Sequence, residues 1–199
     1  MSSAALSPAA TRPVLADLVP TITASRTLTD ALLVGAGTLF VAAFAQLSVT
    51  LPFTPVPITL SSFAVLLTGA ALGSRRGALS MALYVLAGVL GAPFYADGAS
   101  GWAFASFGYV LAYLPAAVVA GHLARRGSDR TPWGTVALVA AASATIYVPG
   151  VIWLMTYLDV NLTTALALGV TPFLIGDAVK ALALGAVLPT AWKVVGRKS

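Results

Sequence analysis

The sequence predicts an all-α integral membrane protein of six transmembrane helices, with the N- and C-termini both in the cytoplasm. Three observations predict it. Of the 199 residues, 59% are hydrophobic and 9% charged, and glutamate is absent, whereas soluble domains carry roughly 25% charged residues. Apolar stretches close to the ~20 residues that cross a bilayer recur six times along the chain. Basic residues are confined almost entirely to alternate connections between those stretches.

Residues 1–27 read as a cytoplasmic N-terminal tail. They are small and polar, are interrupted by Pro13 and Pro20, and lack the apolar core of a cleaved signal. Residues 28–199 form the membrane domain. Its spans are expected near 29–50, 57–73, 77–94, 103–124, 132–156 and 171–194, with Gly69, Gly73 and Gly77 blurring the limits of the second and third. Arg12 and Arg26 precede the first span, and Arg75 and Arg76 join the second to the third. Arg125, Arg126 and Arg130 follow the fourth, and Lys193, Arg197 and Lys198 close the chain. The other connections, near 51–57, 95–102 and 157–170, carry only Asp97 and Asp159 as charges. Ten of eleven basic residues thus lie on one side, which the positive-inside rule assigns to the cytoplasm. Topology accounts for the net charge of +5, and no nucleic-acid partner is implied.

The eleventh basic residue is Lys180, inside the last span and three residues after Asp177. Charged side chains near the bilayer core cost roughly 2.5–3.5 kcal/mol on insertion scales and mark functional sites. Three apart on a helix, the two share a face and can pair. With Pro172 in the first turn, Asp177 falls about 8 Å and Lys180 about 12 Å below the outer end of the helix at 1.5 Å per residue. A ligand arriving from outside reaches them.

The outward connections supply candidate walls. Pro52, Pro55 and Pro57 stiffen the first, LPFTPVPITL, into a lid or re-entrant segment. The second mixes glycines with Phe94, Tyr95, Trp102, Phe104, Phe107 and Tyr109, which suit either interfacial anchoring or an apolar pocket. Tyr84 in the third span is a further candidate. Neither a metal nor a catalytic site is expected. Cysteine is absent, and the single histidine, His122, lies beside Arg125 and Arg126 at a helix end. Asp177 has no second intramembrane carboxylate for acid–base work, and no phosphate-binding glycine loop is present.

The run LPFTPVPITLSSFAVLLTGAALGSRRGALSMALYVLAGVLGAPFY over 51–95 and the later TPFLIGDAVKALALGAVLP over 171–189 resemble the BioY family. Its members are the biotin-binding S components of energy-coupling factor (ECF) vitamin transporters. The resemblance implies an ECF S-component-like bundle with a high-affinity biotin pocket near the outer face, capped by the first outward connection. It implies no cofactor. Its partners are biotin, a transmembrane coupling subunit and ATPase subunits, in the lipid bilayer of a prokaryotic plasma membrane. The family's pocket Asp and Lys carry over to Asp177 and Lys180, and Tyr84, Tyr109, Thr54 and Pro55 join them as expected binding residues. Biotin's ureido ring offers two N–H donors and a carbonyl, which a carboxylate and an ammonium satisfy respectively. Where the family commonly has Thr-Gly-Gly-Tyr, this chain has Ser106-Phe107-Gly108-Tyr109.

Small residues on the first span, among them Ala31, Gly35, Ala36, Ala42, Ala43 and Ala45, permit close helix approach. Ala31 and Gly35 are the expected contact for the coupling subunit. An ion-coupled secondary carrier of a small organic solute is the alternative reading, with Asp177 relaying protons. Such carriers are commonly built on internal repeats, and none is evident.

Overall fold

The computed structural model describes residues 12–18 and 25–196. Six helices of twelve residues or more follow one another: α1 (Arg26–Ala45), α2 (Ser61–Leu72), α3 (Ser74–Val89), α4 (Phe107–Arg125), α5 (Pro132–Leu158) and, after a short α6 (Leu162–Gly169), α7 (Leu174–Gly196). The helices α1, α4 and α5 and the α6–α7 segment are long and apolar enough to cross a membrane. At 1.5 Å per residue α1 spans about 30 Å, the thickness of a hydrocarbon core. Leu39, Ile152, Ile175 and Leu182 are exposed on these helices, the expected state of lipid-facing positions.

The all-α expectation needs correction. Between α1 and α2 the chain forms an antiparallel hairpin, β1 (Ser48–Leu51) and β2 (Thr54–Thr59), pairing Ser48 with Thr59 and Val49 with Ile58. The first span therefore ends at Ala45, not 50, and the second begins at Ser61, not 57. Proline disfavours helical geometry in the residue before it and removes a donor, so Pro52, Pro55 and Pro57 exclude a helix across this stretch. Val49, Thr50, Val56, Ile58 and Thr59 are β-branched and suit an extended chain. Each strand has one unpaired edge, which is where proline is tolerated. The α6 helix lies within the expected 157–170 connection. Asn161 caps it, its Oδ1 accepting the Thr164 N–H at 2.9 Å.

Small residues set the helix packing. Ala112, Ala116, Ala120 and Ala124 recur every four residues on α4 and are all buried, a row that lets backbones approach. Gly121 extends that face. A Cβ there would lie 2.3 Å from the Ser74 nitrogen and 2.5 Å from the Gly73 carbonyl carbon, so α4 touches the α2–α3 turn backbone to backbone. Gly73 makes that turn with φ +82, a conformation glycine adopts without strain. Thr38 joins α1 to α3 by donating to the Ser80 carbonyl at 2.9 Å, and the Ser80 hydroxyl donates to Val34 at 3.1 Å.

Of the expected tail, residues 12–18 are seated on the bundle, and 1–11 and 19–24 lie outside the described residues, as do Arg197 and Lys198. Val14 is fully buried, and Asp17 bridges Arg76 at 2.9 Å and Arg125 at 3.2 Å. Burial opposes ionisation of Asp17. The Val14 N–H and the two guanidiniums outweigh it and hold the carboxyl below the ordinary range. A lowered folded-state pKa contributes stability that is complete above the unfolded value of about 3.9 and lost as pH falls through the folded one. Asp17→Asn is expected to cost about 1 kcal/mol at pH 7, the upper end for partly exposed pairs. In melting curves from pH 7 to pH 3, its deficit against the parent should shrink only below about pH 4; a deficit constant over that range would exclude the linkage.

Candidate functional site

Asp177 and Lys180 stand in the first two turns of α7, behind the turn Thr171–Phe173 that holds Pro172. Their spacing brings Lys180 Nζ to 3.2 Å from Asp177 Oδ1, as the sequence suggested. Two other helices complete the pair. From α2, Ser62 Oγ lies 2.8 Å from Lys180 Nζ, and from α5 the Tyr147 hydroxyl donates to Asp177 Oδ2. Each carboxylate oxygen thus has one donor, and each has capacity for another. The ammonium likewise keeps one proton free after bonding Asp177 and Ser62.

These groups line a cavity of about 310 Å³, within the range of sites that enclose a small molecule. The hairpin contributes Thr50, Pro55 and Thr59, and the α3–α4 connection contributes Asp97 and Phe104. Tyr84, Tyr109, Tyr113 and Tyr147 supply the aromatic wall. Their hydroxyls are committed: Tyr84 donates to the Phe94 carbonyl at 3.2 Å, Tyr109 to the Gly169 carbonyl at 3.0 Å, and Tyr113 bonds Ser61 at 2.7 Å. The ring faces remain as apolar surface, and Asp177 and Lys180 are the charged pair set among them.

Of the residues expected to bind, Asp177, Lys180, Tyr84, Tyr109 and Pro55 line this one cavity. Thr54 does not. It is buried at the start of β2, where its hydroxyl donates to the Leu168 carbonyl at 2.7 Å and accepts the Val56 N–H at 3.2 Å. It thereby pins the hairpin to α6. Ala31 is exposed on α1, and a Cβ on Gly35 would meet nothing within 4 Å. Sequence reasoning passed over Tyr147 and Ser62. The available signal was weak: Ser143 and Tyr147, four apart in an apolar span, share a helix face.

The model of the BioY family matches residues 16–197. A probable biotin transporter BioY of Pyrococcus horikoshii is 38% identical over 140 residues, 69% of this chain and 80% of that protein. The biotin transporter BioY of Rhodobacter capsulatus is 36% identical over 172 residues, 74% of this chain and 88% of that one. Among solved structures, the S-component for biotin from an ECF-type ABC transporter superposes with a TM-score of 0.76, covering 86% of this chain and 95% of its own, at 22% identity. At that identity the likeness concerns the fold.

Proposed function

We propose that this chain, which belongs to the BioY family, is the high-affinity biotin-binding subunit of an ECF-type vitamin uptake transporter. It is a multi-pass membrane protein and not an enzyme. One observation carries the ligand assignment: the only ion pair lining the cavity is Asp177–Lys180 among the described residues. Its free lone pairs and free proton match a ring with two N–H donors and a carbonyl. The ureido ring of biotin is such a group, and as a neutral group it meets a pair of no net charge. The thiophane ring and valeryl chain suit the tyrosine and proline walls.

The proposed partners for delivery of the ligand inward are a transmembrane coupling subunit and ATPase subunits; the chain itself carries no nucleotide-binding loop. Ala31 and Gly35 on the open face of α1 are the proposed contact for the coupling subunit, because small exposed residues admit close helix approach. The charge pattern supports cytoplasmic termini, and the membrane is the plasma membrane of a prokaryote.

Equilibrium binding of labelled biotin to the detergent-purified chain tests the assignment, with dethiobiotin and thiamine as competitors. Tight, saturable binding displaced by dethiobiotin and not by thiamine is expected. A folded sample that binds no biotin would discard the assignment and favour an ion-coupled carrier of another solute.

A further inference from the structure

The two ends of the cavity differ in charge. Tyr84, Tyr113 and Ser61 are buried at its inner end, whereas Thr50, Asp97 and Ala99 are exposed at its mouth. Three lining residues carry charge: Asp97, Asp177 and Lys180. Lys180 is already matched by Asp177, which leaves the carboxylate of Asp97 unbalanced. Among the described residues no ion pair reaches it. The sequence holds no Lys or Arg between Arg76 and Arg125, nor between Arg130 and Lys180.

This carboxylate is held in place. Asp97 takes the left-handed conformation, with φ 57, within the turn Ala96–Gly98. Gln46, just past α1, clasps that turn from both sides: its Nε2 donates to the Tyr95 carbonyl at 3.0 Å, and its Oε1 accepts the Gly98 N–H at 3.1 Å. The Ser48 hydroxyl of β1 donates to Asp97 Oδ1. The negative charge is therefore fixed where hairpin and α3–α4 connection meet, over the opening.

We propose that Asp97 is a specificity-determining residue that disfavours an anionic end on the bound ligand and favours a neutral or cationic one. The inference rests on the biotin assignment, with the ureido head at Asp177–Lys180. The tail then runs toward the mouth, and its carboxylate approaches a second carboxylate without a cation between them. Amide-linked biotin derivatives escape that repulsion and form a further ligand class for this site.

Affinities of biotin, biotinamide and the amide of biotin with ethylenediamine, whose free end is cationic, test this on the parent, Asp97→Asn and Asp97→Lys. Asparagine also tolerates the left-handed conformation and can accept from Ser48, so the mouth keeps its shape. Asp97→Asn should raise the affinity for biotin relative to biotinamide about two- to fivefold, the scale of a partly exposed charge interaction. Asp97→Lys should shift that ratio further and weaken the cationic amide. High salt should narrow the ratio in the parent and leave it unchanged in Asp97→Asn. If all three ligands bind and the acid-to-amide ratio is the same in parent and variants, Asp97 has no such role. If none binds a folded parent, the biotin assignment falls and this proposal with it.

Discussion

Lys180→Ala and Asp177→Asn each abolish tight biotin binding while the protein stays folded; this is the largest functional effect expected. In the parent, Lys180 touches Asp177 and Ser62, and Asp177 also accepts from Tyr147. Removing the ammonium leaves a carboxylate at the site with one neutral donor. Removing the carboxylate charge leaves the ammonium facing Ser62. Truncating one member of a buried, hydrogen-bonded charge pair costs 2–5 kcal/mol in binding, a loss of roughly 30- to several-thousand-fold at 1.4 kcal/mol per decade. The folding cost is smaller because the side chains are 11% and 21% exposed at the cavity, so water can reach the orphaned partner. Tyr147→Phe removes a hydrogen bond that orients Asp177 in the free protein and should weaken binding less than either charge variant. Dissociation constants for the three variants, with melting temperatures as the folding control, decide the matter. Parent-like affinity in both charge variants would take Asp177 and Lys180 out of the pocket.

The charge pair was legible in the sequence because an ionised side chain within an apolar span needs a compensating partner, and the partner lay three residues away. The six long helices were legible for a similarly local reason, since each is an apolar run bounded by turn-forming or charged residues within a few positions of its ends. The groups that complete the site were not. Ser62 and Tyr147 are neutral, and such residues occur in membrane helices without consequence; they matter here only because α2 and α5 both pack beside α7. The hairpin is hidden because short apolar runs look alike as strand or helix, and three prolines signal a stiff backbone without saying that it is extended. Thr54 is among the expected binding residues. Its hydroxyl turned out to serve α6, a helix too short to be expected from an apolar run of spanning length.

Gly108→Ala carries the second large effect, on the fold itself. Helix propensity alone predicts stabilisation by about 1 kcal/mol, because alanine is the better helix former. The packing predicts the opposite. A Cβ on Gly108 would lie 2.2 Å from the Cβ of Trp153 and 2.7 Å from the Pro149 carbonyl oxygen, both on α5. Neither can swing aside as a flexible chain end can. Trp153 is further anchored by its Nε1–H, which donates to the Phe104 carbonyl at 3.0 Å, and by an edge contact to Phe107 at 5.4 Å. Phe107, standing where the family commonly has glycine, thus belongs to the wedge that fixes α5. The fit is reciprocal, since a Cβ on Gly150 of α5 would lie 2.4 Å from the Tyr109 ring of α4. Accommodating the methyl requires α4 and α5 to separate, and overpacking of this kind typically costs 1–3 kcal/mol. Separation also moves Tyr109 away from Tyr147, whose rings lie 6.5 Å apart at 90° in the cavity wall, so biotin affinity should fall with stability. Gly35→Ala is the control: α1 is open there, and the isolated chain should be unchanged or slightly stabilised. A Gly108→Ala protein that melts at or above the parent temperature would mean that α4 and α5 are not held this closely, and the tyrosine wall between them would have to be drawn differently.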